Sequence, residues 1–150
     1  MLKMNWSDFE RAAPALAAFG AERFKQGVAY LATIQRDGAP RVHPVTPILG
    51  QGHFFVFMEP TSPKGKDLLR DNRYAMHCAV SDSSGASGEF WCMGRAKSID
   101  DPNLRALAVQ VSSYAPAERY VLFELDVERA QTTIYENNST VRQEWKKDSA

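Results

Sequence analysis

The chain has 150 residues, of which 44% are hydrophobic and 24% charged, values typical of one soluble globular domain. Lys and Arg number 18 and so do Asp and Glu, and the formal net charge of +0 argues against broad attraction to nucleic acid or an anionic membrane. No apolar run approaches the roughly 20 residues that span a bilayer. The first residues also lack the apolar core of a secretion signal, so we expect a cytoplasmic protein.

The first predicted element is an N-terminal helical segment, residues 1–26. Within it Ser7 is the predicted N-cap of a helix over 7–26, and Glu10 would complete a capping box. Pro14 lies beyond the first turn, where a proline kinks a helix or divides it. The segment is therefore either one kinked helix or two helical pieces.

Six strands are predicted after this segment. Their bounds are 28–35, 41–49, 53–58, 73–81, 89–99 and 119–135, with short helices over 63–71 and about 103–113. The first three strands have no helix between them, which predicts an antiparallel meander. Residues 136–150 form a polar tail. The elements predict a single domain over 1–150, a mainly β, six-stranded antiparallel barrel with peripheral helices.

The start of the helix at 63–71 has an unusual composition. Ser62 is a good N-cap and Pro63 fits the first helical position. Lys64 and Lys66 follow, although a helix N-terminus disfavours cations, and Gly65 lowers helix stability further. We interpret the pattern as a phosphate site; the alternative is two lysines that simply face water.

Arg41 is a candidate third cation for this site. It begins the second predicted strand, and if the second and third strands form a hairpin, Arg41 would converge with the two lysines. The alternative is a polar residue at a strand start. Cys78 and Cys92 lie in apolar strand-like runs and are predicted to be buried free thiols, and no metal site is expected. Because no nucleophile–base pair stands out, the chemistry is expected to belong to a bound cofactor.

Three motifs, in this order, resemble the pyridoxamine 5′-phosphate oxidase-like family of FMN-binding split barrels. They are "RDGAPR" in the first hairpin, "SPK" after the third strand and "GRA" on the fifth, and the resemblance covers residues 27–135. It implies a split barrel of the FMN-binding type and a homodimer with the cofactor at the subunit interface.

The resemblance also implies which residues bind the cofactor. Arg41, Ser62 and Lys64 match positions that hold the flavin phosphate, where Lys66 would assist. The residues matching segments along the isoalloxazine ring are Val42, His43, Pro44, Val45, Phe57, Met58 and Glu59. Glu89 falls where the oxidases carry a glutamine that contacts flavin. Trp145 is expected either to reach the partner's site or to pack on its own barrel.

The tail limits the functional prediction. The true oxidases end in a segment with arginine and histidine that grips pyridoxal phosphate, whereas this tail offers Arg142 and no histidine. We therefore expect an FMN-dependent oxidoreductase with an unknown small-molecule substrate or electron donor, similar to the general stress or flavin-reductase-like branches. The alternatives are a deazaflavin-dependent reductase and a non-catalytic FMN-binding stress protein. An OB-like barrel that binds single-stranded nucleic acid is disfavoured by the net charge of +0.

Overall fold

The computed structural model describes residues 5–148. These residues form four helices and nine strands. In chain order they are α1 (Trp6–Ala12), α2 (Pro14–Phe24), β1 (Ala29–Ile34), β2 (Pro40–Val45), β3 (Ile48–Gly50), β4 (His53–Met58), α3 (Pro63–Arg70), β5 (Arg73–Cys78), β6 (Glu89–Ser98), α4 (Pro102–Val111), β7 (Val121–Leu125), β8 (Arg129–Glu136) and β9 (Ser139–Lys146). The longest of these helices, α2, has 11 residues, and none has the length and apolar character of a bilayer-spanning segment.

All nine strands belong to one curled antiparallel sheet. Its main path runs β2-β1-β5-β6-β7-β4-β3, and β8 and β9 continue from the other part of β6. The long strand β6 joins the two parts, because Glu89–Met93 pair with β8 and Ala96–Ser98 pair with β7. The predicted mainly β, split-barrel class is confirmed.

The strand count exceeds the predicted six because two predicted strands divide and the tail adds another. The predicted strand 41–49 breaks at Thr46 and Pro47 into β2 and β3, since Pro47 has no N–H for a ladder. The predicted strand 119–135 bends at 126–128 into β7 and β8. This bend passes so close to Gly94 that a Cβ there would collide with Asp126. The tail contains β9, which pairs with β8.

The predicted three-strand meander is confirmed in its two antiparallel hairpins, β1 with β2 and β3 with β4, but the break at Pro47 separates the two hairpins in the sheet. β2 lies at one end of the sheet path, whereas β4 lies near the other end and pairs with β3 and β7. Arg41 therefore does not reach α3 through a β2–β4 hairpin. It reaches α3 because Arg41 on β2 lies opposite Thr33 on β1, and α3 packs against β1.

The N-terminal segment forms two helices, one of the two predicted alternatives. The break is at Ala13, immediately before Pro14, which begins α2. The predicted cap was wrong: Asn5 caps α1, and Asp8 completes the capping box. Ser7 is the second residue of the helix, and its backbone N–H donates to the Gly52 carbonyl.

A cluster of aromatic rings fills the main core beneath α1 and α2. Most neighbouring rings contact edge-to-face, while Phe24 and Phe54 stack, and the members are Trp6, Phe9, Phe24, Phe54 and Phe90. Cys78 and Cys92 are buried free thiols in the same core, as predicted. Burial raises the pKa of Cys92 to about 12, while the contact with Tyr74 opposes the shift. Cys92 is thus a core residue rather than a nucleophile.

Candidate anion-binding site

The start of α3 is capped as the sequence predicts. Ser62 Oγ accepts a hydrogen bond of 3.2 Å from the backbone N–H of Gly65, and Pro63 is the first helical residue. A Cβ on Gly65 would lie 3.0 Å from Ser62 Oγ and 3.1 Å from Met58 Sδ. Close packing of α3 on the end of β4 therefore explains the glycine, and an anion is not needed to account for it.

A hollow of about 530 Å³ opens between the β1–β2 turn and one face of α3. Its lining residues are Gln35, Arg36, Asp37, Arg41, Thr61, Pro63, Lys66, Asp67 and Arg70. Four of these side chains are cationic and two are carboxylates, so we name it the cationic hollow. The structure brings Arg41 and Lys66 together here, together with Arg36 and Arg70, which the sequence interpretation did not select.

Asp67 is the buried centre of this hollow, with 3% of its surface exposed. Its carboxylate accepts hydrogen bonds from Thr33 Oγ1 at 2.8 Å, Arg41 Nε at 2.7 Å and Arg70 Nη2 at 2.9 Å. Burial by itself would raise the pKa of Asp67, but the three hydrogen bonds outweigh it and hold the pKa below its usual value. Asp67 is therefore an ionised bridge between α3, β1 and β2.

Sequence reasoning missed Asp67 and Arg70. One signal could have found them: Pro63, Lys66, Asp67 and Arg70 follow the i, i+3, i+4, i+7 spacing that places side chains on one helical face. The composition of the helix start indicated Lys64 instead, which lies outside that face.

Lys64 is half-buried and does not line the cationic hollow. Within residues 5–148 its ammonium group has no hydrogen-bond or ion-pair partner, and burial lowers its pKa. Ser62 is occupied by its capping bond. The predicted phosphate residues thus divide into two groups, with Arg41 and Lys66 in the hollow and Ser62 and Lys64 outside its lining.

The segment from Val42 to Val45 lies on an open edge of the sheet. β2 pairs with β1 on one side, and no described strand pairs with its other side. Val42 is 64% exposed, Pro44 is exposed, His43 is half-buried and Val45 is buried. Unpaired backbone groups along such an edge are available to a ligand, except at Pro44, which has no N–H.

The side chains of the segment from Phe57 to Glu59 are engaged in contacts within the chain, which leaves its backbone groups for a ligand. Phe57 is buried with the Arg105 guanidinium 5.1 Å from its ring centroid, and Met58 lies in the main core. Glu59 Oε1 and Oε2 accept bonds of 3.0 Å from Arg119 Nε, and these bonds lower the pKa of Glu59. Because β3 pairs with β4 only through His53–Phe55, the end of β4 also has one open edge among the described strands.

Glu89 and Trp145 lie apart from the cationic hollow. Glu89 accepts a hydrogen bond of 2.9 Å from the Tyr135 hydroxyl and lies 3.4 Å from Nε2 of His77. The Trp145 ring packs on Phe9 of its own chain, with ring centroids 5.1 Å apart. Within the described chain these two side chains therefore make intramolecular contacts.

The outward side of β1, β2, β5 and β6 is apolar. A shallow depression there is lined by Tyr30, Ala32, Val42, Ala75, Met76, His77, Trp91 and Met93, which we call the apolar face. Tyr30 is 46% exposed and Val42 64% exposed. Large apolar side chains therefore face solvent on this side of the sheet.

The structure is a split barrel in which the first hairpin and α3 enclose a cationic hollow. The family model for pyridoxamine 5′-phosphate oxidase matches residues 14–134. The chain therefore belongs to the pyridoxamine 5′-phosphate oxidase family, as the three motifs predicted.

Several solved structures resemble this chain in fold and share low sequence identity with it. The heme binding protein of Mycobacterium smegmatis is 19% identical with a TM-score of 0.64, over 84% of this chain but only 57% of that one. A Clostridium acetobutylicum protein related to general stress protein 26 is 12% identical with a TM-score of 0.61, over 91% of this chain and 94% of that one. A NimC/NimA family protein from Clostridium acetobutylicum is 18% identical with a TM-score of 0.57, over 81% of this chain and 88% of that one. No curated protein matches the chain.

Proposed function

We propose that the chain is an FMN-dependent oxidoreductase that holds the flavin phosphate at the cationic hollow. The observation that carries the proposal is that Arg41 and Lys66 line one hollow with two further arginines, beside the open edge of β2. Arginine offers several donors in a fixed plane to a phosphate, and lysine adds a point charge.

The charge of the hollow fits a phosphate monoester. Its four cations exceed its two carboxylates by two charges, and a phosphate monoester carries about −1.5 to −2 at pH 7. Arg41 uses Nε for Asp67, and its terminal nitrogens have no hydrogen-bond partner within residues 5–148. An anion beside α3 would also offset the burial of the Lys64 ammonium group.

The flavin ring would lie along the open strand edges. Backbone groups of residues 42–45 on β2 and of 57–59 at the end of β4 would hydrogen-bond its polar edge. FMN, when bound, supplies hydride or electron transfer. The chain's residues would hold and orient it, and we assign no side chain as an acid or base.

We further propose a homodimer in which a second copy covers the apolar face. Val42 belongs both to this face and to the open edge of β2, so a cofactor along β2 would lie at the boundary between the two copies. Burying exposed residues such as Tyr30 and Val42 would stabilise the association.

Two alternatives retain the same site. A deazaflavin coenzyme also carries a phosphate near its ribityl chain, so the hollow would suit it equally. A non-catalytic FMN-binding stress protein would bind FMN and show no turnover with nicotinamide donors.

Heme is a second candidate ligand, because the apolar face carries His77 and Met93, residue types that ligate heme iron. His77 argues against it: Nδ1 lies 2.6 Å from the Cys78 carbonyl and Nε2 lies 3.4 Å from Glu89. Ligating iron would require breaking one of these contacts.

The experiment is to purify the native protein, record its visible absorbance and identify any released small molecule by mass spectrometry. FMN is the expected result. A deazaflavin or heme would replace FMN as the cofactor, and a colourless protein that gains no flavin absorbance with added FMN would contradict the proposal.

A further inference from the structure

One buried carboxylate controls two arginines of the cationic hollow. Asp67 lies on α3, Arg41 on β2 and Thr33 on β1, while Arg70 lies one turn further along α3. Oδ2 of Asp67 accepts from Thr33 and from Nε of Arg41, whereas Oδ1 accepts from Nη2 of Arg70. All the hydrogen bonds of this carboxylate therefore go to groups that tie α3 to the first hairpin.

Each arginine is held on one side and keeps donors on the other. Arg41 is bound through Nε, and Nη2 of Arg70 donates both to Asp67 and, at 2.8 Å, to the Ile34 carbonyl. Within residues 5–148 the other guanidinium nitrogens of both residues have no hydrogen-bond partner, and both side chains line the hollow. The two arginines thus offer fixed, unused donors to the same space.

We propose that Asp67 is a positioning residue that presents Arg41 and Arg70 together to the flavin phosphate, and that Arg70 is a further phosphate ligand. This inference rests on the proposed function, since it assumes that the hollow receives that phosphate.

Electrostatic repulsion and side-chain entropy together decide whether Asp67 weakens or strengthens phosphate binding. Its negative charge repels a phosphate, but the hollow keeps an excess of two positive charges with Asp67 included. A free arginine loses side-chain entropy when it is immobilised, and a pre-held arginine loses less. We expect the advance positioning of both guanidinium groups to outweigh this repulsion.

The test compares FMN with riboflavin, which lacks only the phosphate. Dissociation constants for both are measured on the ligand-free full chain of the wild type, Asp67→Asn and Arg70→Gln. We expect FMN affinity to fall about tenfold in each variant, the effect of losing charge-assisted hydrogen bonds, with riboflavin affinity unchanged. The control is Arg73→Gln, which removes an arginine paired with Asp71 outside the hollow and should change neither constant.

The ratio of the riboflavin dissociation constant to the FMN dissociation constant tests this inference and the proposed function separately. A wild type that binds riboflavin as tightly as FMN, or binds neither, contradicts the proposed function. A wild-type preference for FMN that Asp67→Asn and Arg70→Gln leave intact or increase overturns this inference alone. Should Asp67→Asn not fold, Thr33→Val removes one of the three bonds to Asp67, and an FMN preference unchanged in both Thr33→Val and Arg70→Gln likewise overturns it.

Discussion

Individual charged side chains determine what the cationic hollow accepts. Asp67 is ionised and buried, so it neutralises part of the charge of Arg41 and Arg70 while fixing their positions. Lys66 and Arg36 have no ion-pair partner within the described residues. Asp67 cancels one of the two charges of Arg41 and Arg70, so these arginines supply part of the positive excess and Lys66 and Arg36 supply the rest.

The two lysines of α3 should contribute unequally to FMN affinity. We predict that Lys66→Ala, in the hollow, weakens FMN binding by about 1.5–3 kcal/mol, the range for a charge-assisted hydrogen bond, and that Lys64→Ala, outside its lining, weakens it less. Isothermal titration calorimetry measures the FMN affinity of Lys64→Ala and of Lys66→Ala. Unchanged affinity in Lys64→Ala, with a loss in Lys66→Ala, would remove Lys64 from the site and leave the phosphate entirely to the hollow.

His77 should make stability depend on pH. Hydrogen bonding to Cys78 raises its pKa to about 9; burial opposes the shift and Glu89 adds to it. Because the folded pKa exceeds the ordinary value of about 6.5, the stabilisation is full below that pH and disappears as the pH rises through about 9. Urea unfolding should therefore find His77→Gln less stable than wild type at pH 6 and similar to it at pH 10; an equal difference at both values would contradict the charge argument.

At the scale of elements, α2 is fixed on β6 through a close approach at Gly20. A Cβ at Gly20 would collide with the ring of Phe90, which is fully buried among Trp6, Phe9 and Phe24. The ring cannot move aside without disturbing the whole aromatic cluster. The glycine therefore sets how closely the helix approaches the sheet.

Gly20→Ala should destabilise the protein although alanine favours helices. The propensity gain is about 1 kcal/mol, whereas overpacking a core costs about 1–3 kcal/mol, so we expect a net loss of up to about 2 kcal/mol. Ala15→Ser, at an exposed position of the same helix, should stay within about 0.5 kcal/mol of wild type. Chemical denaturation measures both, and a more stable Gly20→Ala would show that the packing can relax.

Local rules predicted the elements better than their pairing. Ser62 and Pro63 located the start of α3, and the order of motifs predicted the family. The change of pairing partner after Pro47 was missed, because which strand pairs with which is decided by the whole sheet. The bridge through Asp67 joins three elements, so no single stretch of sequence reveals it.

At the scale of the whole molecule, the apolar face and the cationic hollow both adjoin β2. Val42 and Arg41 are consecutive residues of that strand, so Val42 lines the face and Arg41 the hollow. A ligand lying along β2 would contact both surfaces. Dimerisation and cofactor binding should therefore depend on each other.

Light scattering of the purified protein should give twice the 16.8 kDa of one chain. Val42→Glu would bury a charge in the proposed interface, and we expect it to be monomeric with weakened FMN binding. Val109→Glu, at a 44% exposed position on α4, is the matched control and should remain dimeric. A monomeric wild type with full FMN affinity would exclude the second copy from the site.

The most direct measurement of the central claim is a crystal structure of the full chain with FMN. We expect the phosphate within hydrogen-bond distance of Arg41 and Lys66 in the cationic hollow, with Asp67 still bonded to Arg41 Nε. A phosphate bound elsewhere, with the hollow open to solvent, would contradict the account.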